Sequence, residues 1–367
     1  MPPPTSMARK STSTAASMSD RLEEAARLLL VPPPSVSEAE AEAFARRHYG
    51  PAAWDGQSAS DGQGARDGRG AGAQALNGER DRNFRLGGAV LKFYNPAEEA
   101  STRALQHGAL RHLAAEGLPT PRLIPTLAGA EEAVAEIGGQ AVAAVMLTCL
   151  PGRMPATVTP ALRRNVGAVA GRLMAALAGY SHPAAERVIL WDMMRLPLLR
   201  PLAETEPRLL AWFERFGAEV CPAAARLPHQ AIHNDLSLSN LLVGPGGTVT
   251  GVIDFGDLVL APRVNELAIA ASYFITPEDD PVAAVAEMLA QAAPFVRLTQ
   301  AELLLLPDLI RARLATRILL SAWRARLFPE NAAYILRSNT AAWALWARLE
   351  GEDDMAHRIA TLAGETA

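Results

Sequence analysis

The stretch that decides the fold is HNDLSLSNLLVGPGGTVTGVIDFGD, residues 233–257. It holds two short apolar runs, 241–243 and 249–253, on either side of Gly244 to Gly247. A glycine-rich break between aliphatic and β-branched residues predicts a hairpin of two short strands. A polar loop, His233 to Asn240, leads into the first strand, and Asp254 stands at the exit of the second. Folding the exit back onto the entrance is expected to bring Asp235, Asn240 and Asp254 to one end of the hairpin.

The residue types at that end suit one chemistry. Asn240 lies five residues beyond Asp235, and Asp254 lies 19 beyond it. Phosphoryl transfer needs a carboxylate to take the attacking hydroxyl's proton, hard oxygen ligands for Mg²⁺, and a cation for the phosphate tail. Asp235 has the place of the base. Asn240, with four residues between, has the spacing of a metal-binding asparagine in a kinase catalytic loop. Asp254 is the second expected Mg²⁺ ligand. Single Asp and Asn residues are ordinary turn and strand-end residues, but three in register across a strand–loop–strand unit point to a site. His233 is read as a brace for the loop through hydrogen bonds rather than as a catalyst.

Working toward the N-terminus, Lys92 follows Ala89-Val90-Leu91 in an apolar run. The chain has only two lysines, Lys10 and Lys92, beside many arginines. A lysine at this place resembles the strand lysine that meets nucleotide phosphates; a snorkelling edge-strand lysine is the plainer alternative. The segment 77–84, ending in Asn83 and Phe84, precedes that strand. It is expected to cover the phosphates, although it lacks a G-x-G-x-x-G pattern. Gly87–Gly88 predicts the turn between two strands. The spacing over 101–113 predicts a helix, 141–153 an apolar strand stopped by Pro151–Gly152, and 37–48 a short helix capped by Ser35 or Ser37.

From Pro160 onward helical patterns dominate. The chain therefore reads as α+β and bilobal, with a small β-rich N-terminal lobe over 19–147 and a larger helical lobe over 148–367. Residues 1–18, rich in Pro, Ser and Thr, read as a disordered tail, with Met7 or Met18 as possible starts. The Gly/Asp-rich stretch 53–74 reads as a flexible insertion.

HNDxxxxN, then GVIDFGDL and NELAIA, resembles the aminoglycoside phosphotransferases. GERDRNF, VLKFYNP, LTCLPGR, 181–192 and the C-terminal SAWRARLFPEN extend the likeness from Glu79 to Glu350, toward the hydroxylysine kinase branch of that family. The resemblance implies a two-lobed, protein-kinase-like fold with ATP or GTP between the lobes. It implies Asp235 as base, Asn240 and Asp254 as Mg²⁺ ligands, Lys92 on the α/β-phosphates, and a hinge from Thr148 to Leu150 against the purine. Where such kinases carry a helix glutamate paired with the lysine, this chain offers Gln106. Glu98 or Glu99 could substitute, although both read as solvated.

Composition limits the partners. A net charge of −4 and a pI near 6.0 argue against nucleic acid. No apolar run is long enough to span a membrane. Cys149 and Cys221 give no disulfide framework, which suits a reducing cytoplasm. The expected partners are the nucleotide and a small-molecule acceptor. Asp257 and Asp192 are candidates for an acceptor's amine and Arg313 for its carboxylate; the plainer reading makes Asp192 a helix cap and Trp191 a core indole, and Glu266 reads as a brace.

Overall fold

The computed structural model describes residues 25–26, 29–55, 72–78, 80–352 and 354–365. The expected tail, 1–18, lies outside the described residues, as does the central part of the expected insertion, 56–71. Trp54 and Ala73 are both buried in the core of the smaller lobe.

The first helix, α1 (Glu38–His48), starts on Ser37, whose hydroxyl caps the Glu40 amide while the Glu40 carboxylate reaches back to Ser37. The sheet begins with β1 (Gln74–Leu76) and continues through β2 (Arg82–Leu86) and β3 (Ala89–Phe93). Gly87 makes the β2–β3 turn at φ +50°, and a Cβ there would lie 2.7 Å from the Trp54 carbonyl oxygen. Alternation along β3 puts Ala89, Leu91 and Phe93 into the core and leaves Lys92 on the opposite face. The short β4 (Leu123–Ile124), β5 (Glu132–Ile137) and the long β6 (Gln140–Thr148) complete an antiparallel sheet in the order β1-β2-β3-β6-β4, with β5 also on β6.

Helix α2 (Ala100–Ala115) lies between the lobes. Leu105, Ala109, Leu110 and Leu113 pack into the larger core, and Tyr180 donates to the Leu105 carbonyl at 2.7 Å. The chain then leaves the sheet at Thr148. Arg122 and Thr148 exchange hydrogen bonds at 2.9 Å, and the Cys149 amide donates to Gly88 at 2.8 Å.

The larger lobe is helical around one apolar cluster. Its main helices are α3 (Pro160–Leu177), α4 (Asn265–Phe274), α5 (Pro281–Ala292) and α6 (Gln300–Leu327). Four short strands, β7 (His229–Ile232), β8 (Leu241–Val243), β9 (Val249–Val252) and β10 (Val259–Pro262), pair as β7 with β10 and β8 with β9. The β8–β9 hairpin turns through Gly246 and Gly247, both with positive φ. No described helix is long and apolar enough to cross a membrane.

Helices α3 and α5 touch through Gly167 and Gly171 of α3. A Cβ at Gly167 would sit 2.5 Å from the Met288 carbonyl oxygen and 2.8 Å from its Cα. Helix propensity alone favours alanine there by about 1 kcal/mol. The contact with rigid backbone should win. Gly167→Ala is expected to lower the melting temperature, with an overpacking cost of roughly 1–3 kcal/mol. An unchanged or raised melting temperature would show that the two helices can part freely.

Candidate active site

The β8–β9 hairpin does what its sequence requires. Leu241 pairs with Val252, and the Ile253 amide donates to the Asn240 carbonyl at 2.9 Å. Asn240 and Asp254 are thereby held at one end. The loop that precedes them is anchored from below. The His233 amide donates to Glu266 Oε2 at 2.7 Å, His233 Nε2 donates to the Ile253 carbonyl at 3.1 Å, and Nδ1 accepts from the Asp235 amide at 3.2 Å. His233 is fully buried and packs edge-on against Phe255 at 4.6 Å. It braces the loop, and Glu266 braces His233. Asn234 is forced to φ 67° and Asp254 to φ 61°, strain of the kind that persists where surroundings over-determine the backbone.

Asp235 is gripped on both carboxylate oxygens. Asn240 Nδ2 donates to Oδ2 at 2.6 Å and to the Asp235 carbonyl at 3.0 Å. Arg313 Nη2 donates to Oδ1 at 2.9 Å. Both amide hydrogens of Asn240 thus face Asp235, and its Oδ1 is left for a cation. Burial pushes the Asp235 carboxyl up; Arg313 opposes this, while the Asp257 and Asp254 charges add to it, giving a value of about 6. Asp254 differs. Desolvation raises its carboxyl, but Lys92 and Arg80 outweigh that and hold it below the usual range. Its side chain is 45% exposed and lies 3.9 Å from Lys92 Nζ.

An exposed carboxylate and an available amide oxygen fit Mg²⁺, which takes one or two protein oxygens and completes its shell with phosphates and water. Asn240 and Asp254 are the residues that would hold it.

Lys92 lies in the same cleft, and its closest partner is Asp81, at 2.7 Å from Nζ. Sequence reasoning missed Asp81. The hairpin register carried the signal, since Asn83 opposes Lys92 and Arg82 opposes Phe93, which sets Asp81 one step further along. Neither Glu98 nor Gln106 is solvated. Gln106 Nε2 donates to Glu98 Oε1 at 2.7 Å in a buried pair, with Glu99 exposed at the start of α2.

The other expected residues fall in different places. Asn83 shares the cleft face with Lys92. Phe84 does not: it is fully buried, packed edge-on against Phe93 at 6.0 Å. Alternation along β2 sends it into the core, so its side chain cannot cover phosphates. Thr148 and Leu150 lie where the chain crosses between lobes. Asp192 caps the turn that follows it, accepting from the Met194 amide at 2.9 Å, and is 1% exposed. Arg313 is also 1% exposed; besides Asp235 it donates to the Trp191 carbonyl at 2.6 Å. Its guanidinium serves the catalytic loop rather than standing open to a substrate carboxylate. Asp257 accepts from Arg80 Nη1 at 2.7 Å, a contact across the cleft that the sequence did not show.

A family model described as the phosphotransferase enzyme family matches residues 72–298. The chain belongs to that family. This phosphotransferase is 28% identical over 284 residues to the hydroxylysine kinase of Danio rerio, covering 70% of this chain and 80% of that protein. It is 27% identical over 309 residues to the hydroxylysine kinase of Mus musculus, covering 74% and 82%. Among solved structures it resembles an amicoumacin kinase in complex with AMP-PNP, Ca²⁺ and Ami (TM-score 0.56, 17% identity, 78% of this chain and 88% of that one). It also resembles a choline/ethanolamine kinase family protein from Mesorhizobium loti (TM-score 0.55, 16% identity, 81% and 94%). The fold is therefore kinase-like, α+β and bilobal.

If Asp235 takes a proton, kcat/KM, which reports the unloaded enzyme, should fall as the pH drops through about 6. Arg313 lowers that carboxyl, so removing its charge in Arg313→Gln should move the acid limb to higher pH. A profile flat from neutrality to pH 5, or a limb that Arg313→Gln leaves in place, would contradict the assignment.

Proposed function

We propose that this phosphotransferase moves the γ-phosphoryl group of ATP or GTP to the hydroxyl of a small amino-bearing acceptor, with 5-hydroxylysine the first candidate. The observation that carries the reading is the grip on Asp235. A carboxylate oriented by Asn240 and Arg313, made more basic by desolvation, stands near Asp254, which Lys92 approaches to 3.9 Å. In the proposed step the acceptor oxygen bonds to the γ-phosphorus as its proton passes to Asp235. The bond from that phosphorus to the β–γ bridging oxygen breaks, and the nucleoside diphosphate leaves with the electron pair. Lys92 holds phosphate oxygens. Mg²⁺, when bound at Asn240 and Asp254, supplies charge neutralisation to the phosphates. Thr148 to Leu150 would meet the base, and the face of β2 that carries Asn83 would lie over the phosphates.

The acceptor class rests on two supports. Relatives that align over most of their own length are hydroxylysine kinases. The cleft also carries acids, Asp81, Glu98, Asp235, Asp254 and Asp257, among which an acceptor's amine could find a partner. The roles first considered for Asp192 and Arg313 at the acceptor receive no support from their buried contacts. A cytoplasmic location belongs to the same proposal and rests on two cysteines in 367 residues.

The test is an acceptor screen run with ATP and with GTP, reading Mg²⁺-dependent nucleoside diphosphate release and the phosphorylated product by mass spectrometry. The panel is 5-hydroxylysine, choline, homoserine and an aminoglycoside. The expected result is the highest kcat/KM for 5-hydroxylysine. Good turnover of another acceptor beside none of hydroxylysine would overturn the substrate. Nucleotide binding with no turnover of any would favour a nucleotide-binding scaffold.

A further inference from the structure

Arg80 is a cation of the cleft held through one terminal nitrogen. Its backbone is fixed: Asn95 Nδ2 donates to the Arg80 carbonyl at 3.0 Å, and the Asn95 amide donates to Asp81 Oδ1 at 2.8 Å. From that fixed point the side chain crosses from the smaller lobe to the larger one. Nη1 donates to Asp257 Oδ1 at 2.7 Å. The crossing is shaped by a glycine, since a Cβ at Gly256 would lie 2.8 Å from Arg80 Nη2.

Of the other cations, Arg313 and Arg187 each serve two acceptors and Lys92 has one close partner. Lys92 is on Asp81 at 2.7 Å. Arg313 is on Asp235 at 2.9 Å and on the Trp191 carbonyl at 2.6 Å. Arg187 donates to the Leu258 carbonyl at 2.9 Å and the Gly256 carbonyl at 2.5 Å. Arginine carries five N–H donors in a rigid fork, and among the described residues Arg80 uses one terminal nitrogen on one carboxylate. The rest of the fork stands beside Asp254, in a side chain 20% exposed. That is an unused bidentate donor next to the expected metal carboxylate.

We propose that Arg80 is a phosphate-binding residue, parked on Asp257 in the unloaded protein and transferred to phosphoryl oxygens when nucleotide enters. The inference rests on the reading of the cleft as a nucleotide site and extends it to a residue and a lobe-closing contact. Asp254 is the residue that would hold a divalent cation, whose charge would then lie beside the guanidinium. The incoming phosphates offer the geometry that an arginine fork fits best. The Arg80–Asp257 pair then keeps the lobes together while the site is empty, and its exchange for phosphate makes closure depend on the triphosphate.

Calorimetric titration of the full chain decides this. Wild type, Arg80→Ala and Arg80→Lys are titrated with ATP and GTP in Mg²⁺, and with adenosine and guanosine. Arg80→Ala is expected to raise the triphosphate Kd by roughly ten- to a hundredfold, as for a lost charged hydrogen bond. Nucleoside affinity should not change, and Arg80→Lys should fall between. Thermal unfolding without nucleotide adds a second readout: Arg80→Ala and Asp257→Asn should lose stability non-additively, because they remove one contact. If Arg80→Ala loses stability but keeps its triphosphate Kd, or weakens nucleoside and triphosphate alike, the residue is only a tie between lobes and the inference fails. A wild type that binds neither ATP nor GTP would instead sink the proposed function, whatever the variants do.

Discussion

Asp235 is a carboxylate partly withdrawn from water and held by two donors, and much of the larger lobe is arranged around it. A buried charge is tolerated only when it is paired and hydrogen-bonded. Arg313 supplies the pairing from the long helix α6, and Asn240 supplies the hydrogen bond from the hairpin entrance. His233 and Glu266 fix the backbone beneath it. Three separate parts of the larger lobe thus converge on one side chain. Its carboxyl is raised by the desolvation this packing imposes and by the Asp257 and Asp254 charges, against the pull of Arg313.

The same logic extends across the cleft. Lys92 with Asp81 and Arg80 with Asp257 are opposite charges brought together where water is scarce. Neighbouring acids are thereby driven to different states. Asp235 is raised by desolvation and by the acids around it, and Asp254 is lowered by Lys92 and Arg80. A separation of this kind lets one carboxylate accept a proton while the other stays ionised for a cation.

The candidate site was legible in the sequence because its residues are local. Asp235, Asn240 and Asp254 lie on one loop and one hairpin, and Lys92 stands out among arginines, so type and spacing were enough. The strands and turns at Gly87–Gly88 and Gly244 to Gly247 were legible for the same reason. Phe84 was misread because the approach to the lysine strand was taken as one loop, whereas strand alternation turns Phe84 away from the cleft and Asn83 toward it. The partners of Arg313 and Arg80 were not legible at all. Arg313 meets Asp235 across 78 residues and Arg80 meets Asp257 across 177, and only the packing of the lobes creates those contacts. Glu98 was expected to meet solvent and is buried under Gln106, while Asp192 is the cap that its plainer reading made it.

The central claim is that Asn240 and Asp254 hold a divalent cation against nucleotide phosphates beside Asp235. It is tested most directly by titrating Mg²⁺ at fixed nucleotide and reading nucleotide binding in wild type, Asn240→Ala and Asp254→Ala. Loss of either oxygen should move half-saturation to higher Mg²⁺. Superimposable Mg²⁺ curves for all three proteins would remove both residues from the metal site and contradict the account.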